Sequence, residues 1–366
     1  MVFQKENKIS AAKGCLTGNL LSPNLYKAEN SNSGKSQNAE RGLNPMVLIS
    51  EQDIIDTYRR EERLSCQKYQ EYLHLVKENP SFGYKRCAKL LGLPAGRIRW
   101  WHTKGAKRGK PSALKAVEKL KEFNLLPFST DHGFAEDVFR MLGVIYGDGC
   151  LDKNLNTLSF ISSVKENINL WAKDFVMVFP YVDGRLSIVE GGEYGHSYCI
   201  RTVDRSVIRF FVALGTPVGN KVANPYSLPA YFHDLPTHLK IAFFDGLFSS
   251  EVSVPRLMFT RYKTNYFKNF SLSMSKLESL EDSHKKFMNS VREELRKLGL
   301  KLTSHLRKDD YKNSHRKDGK KSFGYRIFFN VSIPNVLKFH KIFPLKYCTE
   351  KKQKLDKEIE KAINAK

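Results

Sequence analysis

An apolar stretch of nine residues, MLGVIYGDG at 141–149, restricts the fold of this chain more than any other feature, because it contains three glycines. Its apolar content is typical of a buried helix, yet a glycine inside a helix costs roughly 1 kcal/mol relative to alanine. Gly143 and Gly147 are four residues apart, so they lie on one helix face and allow a second backbone to approach closely. We therefore expect a partner helix against this face.

The chain contains a matching stretch, KIAFFDGLFSSEVSV at 240–254. In it, Gly246 and Ser250 are again small residues four apart. An acid, Glu251, follows at once, as Asp148 does in the first stretch. If the two helices pack through their small residues, their C-terminal ends lie side by side and the two acids come together.

The paired acids predict a metal site. Two carboxylates held close together repel each other unless a cation lies between them, and oxygen-rich sites suit Mg²⁺ or Mn²⁺. Such an ion on a basic scaffold is equipped for phosphodiester hydrolysis, in which it generates the attacking hydroxide and stabilises the leaving oxygen. Asp148 and Glu251 are therefore predicted to be metal ligands and catalytic residues.

After Pro127, the same order of predicted strands and helices follows each of the two motifs. Each acid is followed by two β-rich runs, a helix, two more β-rich runs and a short helix. This order predicts an α+β fold, a duplicated αββαββα saddle with the two motif helices at the interface on a pseudo-twofold axis. A saddle of that shape suits duplex DNA.

The charge of the chain favours a nucleic-acid partner. Lys and Arg number 61 against 38 Asp and Glu, a net charge of +23 that attracts polyanions by counterion release. The six cysteines form no CxxC pair and no cluster at zinc spacing, which is typical of a reducing cytosol. The sequence contains no apolar run near the ~18 residues of a membrane span and no signal peptide. We expect a cytoplasmic monomer that binds double-stranded DNA and no membrane.

The first part of the chain divides into two segments. Residues 1–45 are polar and rich in Asn, Ser and Gly, which predicts a disordered leader. Met46 begins the first structured stretch and is a second candidate start. Residues 46–127 show apolar residues at helical spacing and are predicted to form an all-α domain.

A segment within this domain, 83–105, has the pattern of a helix-turn-helix. Ala88 lets two helices touch, Gly92 allows the sharp turn, and Ile98 anchors the next helix. Residues 82–127 carry 12 Lys or Arg against 2 Glu, as expected of a surface laid on phosphates. The alternative is a three-helix bundle with a solvated basic face.

In a helix-turn-helix, the helix at about 95–103 would enter the major groove. Trp101 is expected to pack in the core, whereas Trp100 could pack or contact DNA. The candidate DNA-binding residues are Lys85, Arg86, Arg97, Arg99 and His102.

The two motif copies resemble those of the LAGLIDADG homing endonucleases in their single-chain, two-motif form. MLGVIYGDG matches the nine-residue motif, DGLFSSEVS is a weaker copy, and residues 214–232 are similar to the segment that leads into the second motif helix. The resemblance covers about 130–355. It implies a first repeat at 130–232, a second repeat with a C-terminal helix at 233–366, and cleavage of both DNA strands with divalent metal.

The resemblance also implies roles for particular residues. The last acid of each motif copy, Asp148 or Glu251, is the metal ligand. A basic residue late in the second strand of each repeat often lies near the scissile phosphates, and Lys165 and Lys276 are the nearest candidates. Val252 departs from the glycine that usually ends the motif.

Two other functions stay open. One is a catalytically inactive transcriptional regulator on the same scaffold; retention of both acids argues against it and Val252 argues mildly for it. The other is an RNA maturase, for which the basic hairpin at 301–321 would grip structured RNA. The ends of the chain lack splicing-junction residues, so a complete intein is not expected.

Overall fold

The computed structural model describes residues 45–103, 109–184, 186–190, 197–259, 265–309 and 318–364. Except for Pro45, the predicted leader lies outside these residues, as do residues 310–317 of the basic segment at 301–321. The helices are α1 (Glu51–Asp56), α2 (Arg60–Glu78), α3 (Tyr84–Leu91), α4 (Ala95–Thr103), α5 (Ser112–Glu122), α6 (Ala135–Tyr146), α7 (Lys165–Val178), α8 (Arg205–Ala213), α9 (Thr237–Glu251), α10 (Glu281–Lys297), α11 (Ile333–Ile342) and α12 (Thr349–Asn364). The strands are β1 (Val47–Ile49), β2 (Phe128–Ser129), β3 (Cys150–Leu151), β4 (Leu158–Ser162), β5 (Ser187–Glu190), β6 (Tyr198–Thr202), β7 (Val252–Ser253), β8 (Arg256–Phe259), β9 (Asn265–Lys268), β10 (Ser271–Leu277), β11 (Arg307–Asp309) and β12 (Ser322–Phe328).

The N-terminal segment consists of helices α1–α5 after a first short strand. That strand, β1, pairs antiparallel with β2, so the two ends of the segment meet. Ser50 begins α1 with a capping box, in which the Ser50 hydroxyl accepts from the backbone N–H of Asp53 and the Asp53 carboxylate accepts from that of Ser50. Gly92 ends α3 at φ +63°, in the left-handed region that favours glycine, so α4 starts after only three connecting residues.

Two four-stranded antiparallel sheets follow, which confirms the mixed α+β class. Their strand orders are β3-β4-β6-β5 and β7-β10-β12-β11. In both segments the elements run helix, two strands, helix, two strands, helix, from α6 to α8 and from α9 to α11. The second segment has the additional hairpin β8–β9 between β7 and β10.

This additional hairpin continues the β7–β10 pairing. Val252 lies opposite Leu272, and farther along Arg256 lies opposite Lys268 without a change of register. The Leu257 and Phe267 pair faces inward and is buried. A side-chain oxygen of Glu358 in α12 accepts the Leu257 N–H at 2.6 Å, which anchors the hairpin to the C-terminal helix.

Helices α6 and α9 lie at the centre of the main core. Residues 141–147 and 242–249 are all buried, so α9 is apolar around most of its circumference rather than on one stripe. Among the described helices, none combines the length and apolar character needed to cross a membrane.

A buried charge network joins these helices to the C-terminal part of the chain. The fully buried Asp245 carboxylate accepts from Arg140 Nε at 3.0 Å and from the backbone N–H groups of Leu345 and Lys346 at 2.5 and 3.3 Å. Lys346 in turn pairs with Asp137 at 3.2 Å. Each partner of the buried carboxylate is therefore a donor, as burial of a charge requires.

Candidate active site

Glycine allows α6 and α9 to pack with their backbones in contact. A Cβ atom at Gly143 would overlap the carbonyl oxygen of Phe243 and lie 2.8 Å from the backbone nitrogen of Leu247. Phe243 and Leu247 lie three residues before and one residue after Gly246. No side chain larger than hydrogen fits at Gly143 without separating the helices.

The same contact occurs in the opposite direction. A Cβ atom at Gly246 would overlap the carbonyl oxygen of Arg140 and lie 2.9 Å from the backbone nitrogen of Val144. Arg140 and Val144 again lie three before and one after the partner glycine, Gly143. The two helices therefore make reciprocal contacts, as expected of elements related by a local twofold axis.

The helices stay close as far as their last turns. A Cβ atom at Gly147 would lie 2.5 Å from Cβ of Ser250, so the two small residues at the second motif position face each other. Asp148 follows the first of them and Glu251 the second. The structure thus brings together the two acids that sequence spacing paired.

Partial burial raises the proton affinity of both acids. The Asp148 side chain is exposed, yet desolvation by the surrounding protein raises the pKa of its carboxyl. Burial and the neighbouring Asp148 carboxylate together raise the pKa of Glu251 to about 7. Lys221 and Lys351 act against both shifts.

Two lysines that the sequence analysis missed close the ends of the motif helices. Lys221 Nζ donates to the carbonyls of Ile145 at 2.9 Å, Tyr146 at 3.2 Å and Gly147. It occupies the last turn of α6, where carbonyls have no helical partner and a cation is favoured. Burial lowers the pKa of Lys221 to about 8, against the opposing effect of the two acids.

Lys351 takes the corresponding place at α9. Its Nζ donates to the carbonyls of Ser249 at 3.0 Å and Ser250 at 2.5 Å. Two acids and two lysines thus meet where the paired helices end. Lys221 lies in the 214–232 segment quoted for the resemblance and could have been found there, whereas Lys351 stands in a lysine-rich run with no distinguishing signal.

The two lysines that the resemblance implied, Lys165 and Lys276, lie in different environments. Lys165 is exposed at the first residue of α7, with its Nζ 5.9 Å from the Tyr198 ring centroid. Lys276 is fully buried; its Nζ donates to the carbonyls of Lys221 and Asn224. Lys276 therefore holds the loop that carries Lys221, and burial lowers its pKa to about 7.

The same Nζ of Lys276 lies 3.5 Å from the ring centroid of Tyr226. This cation–π contact compensates part of the desolvation of the ammonium.

The acids fit a divalent ion that is shared with a substrate. Within the described ranges, no group of three or more His, Cys, Asp or Glu side chains forms a metal cluster. Mg²⁺ is commonly held by one or two carboxylates together with substrate phosphates, and Asp148 and Glu251 supply two. The Ser250 hydroxyl donates to the Asp148 carboxylate, which favours its charged form, the form that a metal ligand must have.

The helix-turn-helix candidates lie mostly on the surface of α3 and α4. Arg97 and Arg99 are exposed on α4. His102 Nδ1 lies 3.1 Å from the hydroxyl of Tyr72. On α3, Lys85 is exposed.

The other side of α4 faces a small core. Trp101 is 6% exposed, as predicted, whereas Trp100 is 49% exposed. Arg86, the remaining DNA-binding candidate, lies on α3, and its guanidinium is 3.7 Å from the Phe82 ring centroid.

Curated relatives match part of this chain. The chain is 26% identical to DNA-directed RNA polymerase subunit Rpo1N of Methanocaldococcus jannaschii over 219 residues, which is 54% of this chain and 16% of that protein. It is 30% identical to the tRNA-splicing ligase RtcB of Methanopyrus kandleri over 200 residues, 52% of this chain and 20% of the ligase. The chain therefore spans between about a sixth and a fifth of the length of these relatives. No family model matches it.

Similar solved structures include DNA complexes of homing endonucleases. I-DmoI in complex with DNA and Ca is 16% identical, with a TM-score of 0.36 and coverage of 58% of this chain and 91% of I-DmoI. The LAGLIDADG meganuclease I-AabMI bound to uncleaved DNA is 11% identical, with a TM-score of 0.31 and coverage of 62% and 95%.

Proposed function

We propose that this chain is a site-specific endonuclease that hydrolyses both strands of duplex DNA with a divalent metal, in the manner of the LAGLIDADG homing endonucleases. The observation that carries the proposal is the meeting of Asp148 and Glu251 at the ends of two helices in reciprocal backbone contact. Such an arrangement presents one acid to each of two strands. The net charge of +23 supplies the attraction for the polyanion.

The residues at this site have distinct roles in the proposed reaction. When bound, Mg²⁺ or Mn²⁺ would supply the attacking hydroxide and stabilise the leaving oxygen, and Asp148 and Glu251 would hold it. Lys221 and Lys351 offset the two negative charges and lie beside the position of the scissile phosphates. Lys276 is a positioning residue, because it acts through the loop that carries Lys221.

The architecture supports a single-chain enzyme. The first repeat, proposed at 130–232, supplies Asp148, and the second, proposed at 233–366, supplies Glu251. Each repeat contributes a four-stranded sheet to a saddle that we place over the duplex. Because one chain supplies both acids, we expect an active monomer.

The curated relatives are named for two different activities. The stretches they share with this chain make up between about a sixth and a fifth of each. A polymerase subunit and a tRNA-splicing ligase have different activities, and the chain matches only a small part of each. We therefore transfer neither activity, although the ligase makes RNA binding the second function to test.

A selection experiment tests the proposal. The protein is incubated with a randomised duplex library and Mg²⁺ beside Asp148→Asn, Glu251→Gln and the exposed control Glu122→Gln, and both cut ends and bound duplexes are sequenced. We expect cut ends with a shared sequence from the wild type and the control and none from the two site variants. Bound duplexes without cut ends in any sample would favour the inactive regulator. Preference for structured RNA over duplex at matched salt would favour the maturase.

A further inference from the structure

The helix-turn-helix candidate has a small core of its own. Tyr69 and Trp101 pack edge to face with centroids 5.1 Å apart, and Ile98 is fully buried beneath them. The buried residues of this cluster come from α2, α3 and α4 alone: Tyr69, Tyr72, Cys87, Ala88, Ile98 and Trp101. These three helices therefore form a compact subunit of the N-terminal segment.

The helices on either side of this subunit belong to the main core instead. Ile54 in α1 and Leu120 in α5 are fully buried in the same cluster as the motif helices. Strand β1, just before α1, pairs with β2, which precedes α6. The chain enters and leaves the α2–α4 subunit from elements that are built into the proposed catalytic body.

Two cation contacts also fasten the N-terminal segment to α8. The Arg209 guanidinium in α8 donates to the Thr57 carbonyl and lies 4.1 Å from the Tyr58 ring centroid. Lys119 in α5 pairs with Asp204 at 2.7 Å. Asp204 is 7% exposed and also accepts from backbone N–H groups at the start of α8, so this pair is fixed and largely removed from water. All of these contacts join the N-terminal segment to the proposed first repeat or to β2, the strand just before it.

The surface of α3 and α4 is basic, whereas α2 carries four Glu and four Lys or Arg. No Asp or Glu occurs between Asn79 and Val117, whereas that stretch contains 10 Lys or Arg. Lys85 on α3 and Arg97 and Arg99 on α4 point to solvent. A surface on α3 and α4 whose charged side chains are all basic fits a duplex with its phosphates on either side of the groove.

We infer that α4 reads a second segment of the DNA target at a fixed distance from the cleavage position, beyond the half-site bound by the first repeat. The inference rests on the proposed function and adds its consequence for the substrate: the target is asymmetric, and its extra bases lie on one flank only. Cys66 of α2 is buried in the core that contains the motif helices, and Leu114 of α5 packs against both cores. Because these contacts seat the α2–α4 subunit on the main body, we expect a fixed spacing between flank and cleavage position.

The test measures binding and leaves cleavage out of the readout. Asp148→Asn protein is mixed with the selected duplex, and dissociation constants and footprints are recorded at one salt concentration. In one set of duplexes, about 5 or 10 base pairs are inserted between the cleavage position and the first-repeat flank. In the control set, the same insertions lie between the cleavage position and the other flank. Arg97→Ala/Arg99→Ala is compared with Lys77→Ala/Lys121→Ala, a matched pair of exposed cations outside α3 and α4.

We expect protection of one flank, and about 10- to 100-fold weaker binding for the arginine variant. The same loss is expected for both insertions on that flank and for neither insertion on the other. Retention of affinity with the insertions would overturn the fixed spacing, and a symmetric footprint or equal loss in the lysine variant would overturn the base-reading role.

The proposed function fails separately. If the flank is protected but the wild type cuts no duplex, the inference stands without the nuclease. If the wild type cuts but no flank is protected, the nuclease stands without the inference. Absence of duplex binding overturns both.

Discussion

Replacement of Gly246 by alanine should separate the two motif helices. The new Cβ would overlap the carbonyl oxygen of Arg140 and lie 2.9 Å from both its carbonyl carbon and the Val144 nitrogen, where ordinary contacts begin at 3.4 Å. The atoms that obstruct it are backbone, so a side-chain rotation cannot relieve the overlap. Because the overlap with the carbonyl oxygen is the tightest contact, the helices must move apart by about 1 Å, a gap that forfeits up to about half of the attraction between facing atoms.

Both stability and activity should therefore fall. Overpacking of a tight core typically costs 1–3 kcal/mol, and with a rigid backbone on both sides we expect about 3 kcal/mol for Gly246→Ala. The same movement carries Glu251 away from Asp148. Misplacement of catalytic groups by up to 1 Å can cost about 100-fold in rate, so cleavage should fall by about that factor even where the variant stays folded.

Urea unfolding measures the first effect, with Gly96→Ala as its control, and cleavage assays measure the second. Gly96 lies in α4, has no atom within 4 Å of its would-be Cβ and does not adopt a positive φ. Alanine there should raise the unfolding free energy by about 0.5 kcal/mol through helix propensity. An unfolding free energy for Gly246→Ala within about 1 kcal/mol of the wild type, with unchanged cleavage, would refute the close-contact argument.

Three further predictions concern buried charges. Burial raises the pKa of Glu251 from 4.5 to about 7, so between these values the folded protein holds a proton that the unfolded chain has released. The free energy of unfolding should therefore fall as pH rises through that window. In urea titrations with EDTA, Glu251→Gln should lose this pH slope and at pH 8 should be more stable than the wild type by about 1–3 kcal/mol. Asp245→Ala should cost about 3–5 kcal/mol in the same assay, since it leaves the buried Arg140 guanidinium with Asp137 alone and removes the acceptor of the Leu345 and Lys346 N–H groups. The exposed Lys121→Ala should cost under about 1 kcal/mol. Lys276→Met should lower the cleavage rate about tenfold or more at unchanged Kd, because Lys221 loses its support.

Opposite results would be informative in each case. A pH slope that survives Glu251→Gln would assign the titration to another group. Equal costs for Asp245→Ala and Lys121→Ala would mean that the buried network adds no more than a surface pair. Loss of DNA affinity in Lys276→Met, in place of a rate effect, would place that lysine on the DNA.

The features that the sequence predicted are those that depend on local spacing. Small residues at i and i+4 lie on one face of any helix, so the contact of Gly143 and Gly246 with the partner backbone followed from the motif. The acid after each motif occupies the end of its helix, and pairing the helices brings Asp148 and Glu251 together. Alternating apolar residues similarly predicted most strands of the two sheets.

Tertiary structure alone decided what surrounds these acids. Lys221 reaches the end of α6 from a loop about 70 residues away in sequence, and Lys351 reaches α9 from the C-terminal helix 100 residues after it. A lysine in the sequence is equally consistent with a solvated surface position, and only long-range packing buries Lys276 while it leaves Lys165 exposed. The partition of the N-terminal helices between two cores is likewise invisible to periodicity, because an apolar stripe specifies that a helix face is buried without specifying against which partner.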